Sequence, residues 1–88
     1  MKVEFLKKFS KDLDGIGSKA VKQSLIRTIE LLENAKTLED FQNLKKLKGH
    51  KSAYRIRIGD YRLGLFAEDS KLLLARFLHR KDIYKAFP

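Results

Sequence analysis

The spacing of hydrophobic residues changes several times along the chain, and each change marks a different element. Val3 and Phe5 alternate with polar neighbours within Met1 to Leu6, the period of a short strand. Phe9 and Leu13 stand four apart, which predicts a short helical turn ending at the Gly15-Ile16-Gly17 breaker. Ser18 is placed to cap the next helix, in which Val21, Leu25, Ile29 and Leu32 recur at helical spacing. Lys19, Lys22, Arg27, Glu30 and Glu33 take its other faces. Thr37, followed by Glu39 and Asp40, reads as the capped, acidic start of a further helix that carries Leu38, Phe41 and Leu44. The basic cluster Lys45, Lys46, Lys48 and then Gly49 suit its C-terminal end, before an exposed loop through His50, Lys51 and Ser52.

From Ala53 the period becomes two. Tyr54, Ile56 and Ile58 alternate with Arg55 and Arg57, and Tyr61, Leu63 and Leu65 alternate with Arg62, Gly64 and Phe66, on either side of Gly59-Asp60. This predicts a β-hairpin with a two-residue connection. Glu68 to Lys71 make a second polar turn, and Leu72 to Leu78 read as a strand buried on both faces, the middle of the sheet, with Arg76 its exception. Ile83, Tyr84 and Phe87 suit a short terminal helix. The expected fold is α+β, one domain over residues 1–88: a small, mainly antiparallel sheet of about four strands against N-terminal helices.

Composition narrows the chemistry. With 88 residues, 43% of them hydrophobic, the chain has enough apolar material for one core. The absence of Cys removes disulfides and thiol catalysis. No apolar run reaches the roughly 18 residues of a membrane span and Met1 to Phe5 lack the apolar stretch of a signal, so a cytoplasmic protein without a membrane partner is expected. His50 and His79 with scattered acids give no metal-ligand spacing, and the serines lack a nucleophile-turn motif, so neither metal nor cofactor is expected.

The formal net charge of +9 is unevenly distributed: residues 1–44 hold 8 basic and 7 acidic side chains, residues 45–88 hold 12 and 4. A positive surface concentrated in the strand-rich half suits a polyanion or an acidic protein partner. With Gly59-Asp60 as the turn, Arg57 faces Arg62 and Arg55 faces Gly64, so three guanidiniums share one sheet face. At about 5 Å in water-like dielectric each such pair repels by roughly 0.8 kcal/mol. A solvated arginine face would tolerate this, whereas an anion-binding site would exploit it. All three positions are Arg in a chain richer in Lys, which suits bidentate recognition of phosphate. The Lys-rich segment Lys45, Lys46, Lys48 and Lys51 offers further phosphate contacts. His79, Arg80 and Tyr84, past the last strand, would add a proton carrier, a fourth phosphate donor and a hydroxyl or stacking ring if that strand ends near the patch.

Leu47-Lys48-Gly49, the run Tyr54-Arg55-Ile56-Arg57-Ile58-Gly59-Asp60-Tyr61-Arg62, and His79-Arg80-Lys81-Asp82-Ile83-Tyr84 together resemble the RelE/ParE superfamily of toxins from toxin–antitoxin systems. The resemblance spans the chain in its order of elements and is most specific over residues 47–84. It implies a small antiparallel sheet against N-terminal helices, a cognate antitoxin as partner and, in the favoured RelE-like branch, an mRNA interferase acting in the ribosomal A site. In that metal-independent reaction the 2′-hydroxyl attacks the adjacent phosphate, leaving a cyclic phosphate and a 5′-hydroxyl. Carried over residue by residue, the family pattern matches Arg55, Arg57, Arg62, Arg80 and Tyr84. Arg57, Arg62 and Arg80 would stabilise the phosphate, His79 or Tyr84 would carry protons, and Arg55 would position the backbone. Relatives often have Lys where Arg55 and Arg57 stand. Arg stays protonated, so neither is a convincing general base here. Two other readings remain: a ParE-like inhibitor of DNA gyrase with no nuclease activity, and a nucleic-acid-binding module without turnover.

Overall fold

The computed structural model describes residues 1–39 and 41–88. Its elements are β1 (Lys2–Phe5), α1 (Lys7–Asp14), α2 (Lys19–Asn34), β2 (Leu44–Lys46), β3 (Ala53–Ile58), β4 (Tyr61–Glu68), β5 (Lys71–His79) and α3 (Ile83–Ala86). Among the described residues no helix is long and apolar enough to cross a membrane.

The strands form one sheet in the order β1-β5-β4-β3-β2. The expected α+β class is observed, with every pairing antiparallel except β1 on β5. The hairpin has the anticipated register, Arg57 opposite Arg62 and Arg55 opposite Gly64, around a turn in which Gly59 takes a positive φ of 58°. Asp69 and Ser70, both at positive φ, close the next hairpin, a geometry whose twist matches that of the strands it joins. Ser18 caps α2, its hydroxyl oxygen accepting from the Val21 N–H at 3.2 Å.

Two expectations are corrected. The segment after Thr37 is not a helix: it turns, and its end pairs with β3 as strand β2, giving five strands. Leu44, Lys45 and Lys46 supply hydrogen-bonding partners to an otherwise open edge of β3, which outweighs the weak helical preference of a segment with three spaced apolar residues. Asn43, at a φ of 64°, is incompatible with a continuing helix. The Asp40 half of the anticipated capping box lies outside the described residues. The middle strand is β4, and β5 lies between it and β1.

One face of the sheet buries the main core, with Phe9, Leu25 and Leu32 from the helices on Ile56, Leu63, Leu65, Leu72, Leu74 and Phe77. On the other face a smaller cluster joins Leu47, Ala53 and Ala75 to Ile83 and Phe87 of the C-terminal segment. A register shift at Gly64/Leu65 against β5 marks a bulge between the halves of that strand.

Strand β1 covers only Lys71–Leu74 of β5, so the later part of β5 needs other partners. Helix α1 provides one through Asp12. Its Oδ2 accepts from the Phe77 N–H at 2.9 Å and from Arg76 Nε at 2.8 Å, while Oδ1 accepts from Arg76 Nη2 at 3.1 Å. The hydrogen bond to Asp12, reinforced by its charge and opposed by burial, holds the Arg76 guanidinium above its ordinary pKa. The odd arginine of β5 is therefore a clasp between the sheet and α1. Asp12→Ala leaves a strand N–H and a half-buried cation without their acceptor, an expected loss of about 2–4 kcal/mol. Thermal unfolding followed by circular dichroism should place the variant's midpoint roughly 8–32 °C below the parent, at about 4–8 °C per kcal/mol.

Candidate active site

The alternation in β3 and β4 directs Arg55, Arg57 and Arg62 to the face opposite the helices, and the C-terminal segment covers only part of that face. Phe87 lies over Gly64, so the glycine backbone beside the arginines is buried under a ring instead of being open to a ligand. Beyond that ring the face is uncovered. There Lys45, Arg55, Arg57, Arg62 and Tyr84, with Asn43 and Leu44, line a hollow of about 370 Å³.

Each arginine is oriented by a neutral group. Arg57 Nη2 donates to Asn43 Oδ1 at 3.1 Å, and the Arg57 N–H donates to the Asn43 carbonyl at 3.1 Å. Arg62 Nη1 donates to the carbonyls of Gly59 and Tyr61 at 3.0 and 2.9 Å. The Arg55 guanidinium carbon lies 4.4 Å from the centroid of the Tyr84 ring, a cation–π contact. Among the described residues the ion pairs are Lys71–Glu4 and Arg76–Asp12, and neither involves these three arginines. Amide and carbonyl oxygens thus aim the guanidiniums without cancelling their charge. Most of their donors remain available to a bidentate anion.

Tyr84 is 67% exposed although its neighbour Ile83 is fully buried. Ile83 and Phe87 anchor the short α3, and the Phe87 N–H donates to the Ile83 carbonyl at 2.9 Å. Tyr84 is thereby held at the boundary between the covered and uncovered parts of the face.

Other sequence candidates lie elsewhere. His79 pairs with Tyr61 across β4 and β5, and its ring meets that of Tyr61 edge-on at 5.6 Å, while Tyr61 in turn stacks on Phe77 of the main core. It is therefore on the helix-covered side, and its Nδ1 accepts from the Lys81 N–H at 3.2 Å. Arg80 is exposed beside the hairpin turn, its N–H donating to the Asp60 carbonyl at 2.8 Å, and it does not line the arginine hollow. Lys46, Lys48 and Lys51 follow the strand β2 and the loop beyond it, next to the hollow. Asn43 escaped the sequence reading. Its one signal is that Asn tolerates the left-handed backbone needed at the entry to β2.

Over residues 3–84 the chain matches the model of a family described as the ParE toxin of type II toxin-antitoxin system, parDE. It is 39% identical over 89 residues to Toxin RelE3 of Methanocaldococcus jannaschii, with 100% of both chains covered. Among solved structures it resembles a chain of the RelB-RelE antitoxin-toxin complex from Methanococcus jannaschii, with a TM-score of 0.81 and 36% identity over 96% of this chain and 98% of that one. The archaeal RelE-RelB complex from Pyrococcus horikoshii OT3 shares the fold, with a TM-score of 0.74 at 24% identity over 90% and 93% of the two chains.

A Cβ on Gly64 would come within 2.6 Å of the Phe87 ring. Gly64→Ala should consequently displace Phe87 and loosen the segment that carries Tyr84, at a cost of about 1–3 kcal/mol. Hydrogen exchange should show faster exchange across residues 83–87 with the β3–β4 amides still protected. In a double-mutant cycle, Gly64→Ala should cost markedly less in a Phe87→Ala background.

Proposed function

The chain belongs to the ParE toxin family of type II toxin–antitoxin systems and is a RelE-like toxin, and from that premise we propose that it is an mRNA endonuclease acting in the ribosomal A site of the cytoplasm. The observation that carries the reading is the hollow in which Arg55, Arg57 and Arg62 meet Lys45 and Tyr84, with no carboxylate among the described residues that line it. A phosphodiester would bring the missing negative charge.

The chemistry follows from what guanidiniums can and cannot do. As the 2′-hydroxyl gives up its proton to solvent and its oxygen attacks the neighbouring phosphorus, the phosphate gains charge and a fifth oxygen ligand before the bond to the 5′-oxygen breaks. Donors fixed in advance around that phosphorus stabilise the crowded dianion without reorganising at the moment of reaction. Arg57 and Arg62, oriented by Asn43 and by the turn carbonyls, have that role. Arg55, stacked on Tyr84, positions the strand. The guanidiniums remain protonated, so the hollow acts by electrostatic stabilisation more than by proton removal. Tyr84 brings a lining hydroxyl that can pass a proton to the departing 5′-oxygen. His79, packed on Tyr61, is excluded from proton transfer in this reading, and Arg80 contributes from outside the hollow to holding the RNA.

An antitoxin would control such an enzyme. The relative from Methanococcus jannaschii was solved as an antitoxin–toxin complex, and a net charge of +9 suits an acidic segment laid across the arginine face. The match to a ParE model favours one competing reading, inhibition of DNA gyrase without RNA cleavage.

On ribosomes programmed with mRNA, primer extension should reveal cleavage by the parent chain. Arg57→Ala and Arg62→Ala should each slow it by about 10²- to 10³-fold. Tyr84→Phe should slow it by on the order of 10²-fold, and His79→Ala by no more than severalfold. Gyrase supercoiling is assayed in parallel. Inhibited supercoiling with intact mRNA would replace the nuclease reading by the gyrase one.

A further inference from the structure

Cleavage moves two protons, one away from the attacking 2′-hydroxyl and one onto the departing 5′-oxygen, and Tyr84 accounts for the second. Besides Tyr84, the described residues that line the arginine hollow are Asn43, Leu44, Lys45, Arg55, Arg57 and Arg62. An amide does not take up a proton near neutrality, an alkyl chain has none to exchange, and guanidiniums stay protonated throughout. Lys45 is left as the lining group that exists both as an ammonium and as a free amine with a lone pair. Its place in the fold suits that part. Lys45 stands opposite Arg55 in the β2–β3 register, so both side chains rise from the same sheet face with Cβ atoms about 5 Å apart. Its neighbours Leu44 and Lys46 pair with Ile56 and Tyr54, so within β2 Lys45 alone faces an arginine. Strand β2 is the outermost of the sheet, and Lys45 therefore enters the hollow from the side, whereas Tyr84 enters from the segment laid over the face. Two groups reaching one phosphate from different directions suit a displacement whose attacking and departing oxygens lie in line across phosphorus.

We propose that Lys45 is the general base of the reaction, the carrier between the 2′-hydroxyl and solvent. Its free amine takes the 2′-hydroxyl proton as the 2′-oxygen bonds to phosphorus, and the bond from phosphorus to the 5′-oxygen breaks as Tyr84 passes its phenolic proton to that oxygen. The ammonium so formed then releases its proton to solvent, and the phenolate regains one from it. A way out exists: Lys45, Arg55 and Tyr84 also line an adjoining hollow of about 530 Å³, and the Lys45 side chain is exposed. The proposal rests on the nuclease reading and deepens it. Along the chain Lys45 is one of four lysines grouped as phosphate contacts, and the strand pairing is what separates it from the others.

The test is single-turnover cleavage on programmed ribosomes with the full-length chain. Lys45→Arg keeps the charge and the reach but cannot give up its proton, so it should slow cleavage by about 10²-fold. Its binding to ribosomes carrying a 2′-O-methyl mRNA, which cannot be cleaved, should stay within about threefold of the parent, and circular dichroism with a melting curve checks its folding. An mRNA with sulfur in place of the bridging 5′-oxygen separates the two proton transfers, because a thiolate departs without an acid. On that substrate Tyr84→Phe should recover to within severalfold of the parent, whereas Lys45→Arg should remain about 10²-fold slow. Cleavage by Lys45→Arg at the parent's rate would reduce Lys45 to a phosphate contact and overturn the proposal, while Arg57→Ala and Arg62→Ala, still slow, would leave the nuclease reading standing. A loss of rate matched by an equal loss of binding, or one that the sulfur substrate abolishes, would overturn it as well. A parent chain that leaves mRNA intact defeats the nuclease reading and the role of Lys45 with it.

Discussion

Two arginines placed opposite each other across an antiparallel pair repel, yet the hairpin holds Arg57 against Arg62 because its two-residue turn admits no other register. A slip by one residue would send Ile56, Ile58 and Leu63 to the open face and the arginines into the core, at a cost far above the roughly 0.8 kcal/mol of repulsion at about 5 Å in water-like dielectric. Burial of the apolar face thus fixes the geometry of the charged one. The repulsion is offset locally by oxygens that carry no formal charge, those of Asn43, Gly59 and Tyr61. Carboxylates would have relieved it more strongly, but they would also have neutralised the positive potential.

The disposition of acids follows the same division. Asp12 is committed to Arg76 at the far edge of β5, where its task is to complete a strand left short by β1, and Glu4 pairs with Lys71 at the start of that strand. The two arginine environments differ accordingly. Arg76, gripped by both oxygens of one carboxylate, behaves as a structural clasp. Arg57 and Arg62, held at one edge by neutral acceptors, keep donors available for a ligand.

The hairpin register, the core face and the Arg55–Arg57–Arg62 grouping were legible in the sequence because they depend on local alternation and one turn. So was α2, with its cap and regular apolar stripe. The segment from Thr37 was not, because its fate depends on a partner distant in sequence: only the exposed edge of β3 makes a strand of Leu44–Lys46. His79 illustrates the same difficulty at the level of one side chain. Its position at the end of β5 put it close to Arg80 and Tyr84 along the chain, but the bulge shifts the alternation, and residues 72, 74 and 77 share the core to which His79 adjoins through Tyr61. A bulge has no signature in an apolar run such as Leu72 to Leu78. The closure of Gly64 by Phe87 was likewise invisible, since a glycine in a strand signals close approach without saying what approaches.

Size explains why the candidate site is built on this boundary. A chain of 88 residues has little surface to spare, and a sheet with helices on one side leaves its other face open to solvent unless something covers it. Here the coverage is partial by construction. Small residues at Ala53, Gly64 and Ala75 let the C-terminal segment lie close over one end, and the arginines occupy the other. Tyr84 is then the residue at the seam, carried by a segment whose adjacent positions are buried and stacked on the nearest arginine. The small second core consequently does more than stabilise the fold. It positions the aromatic wall shared by both hollows, so packing at Gly64 and Phe87 controls the shape of a charged site that neither residue's side chain chemistry would suggest.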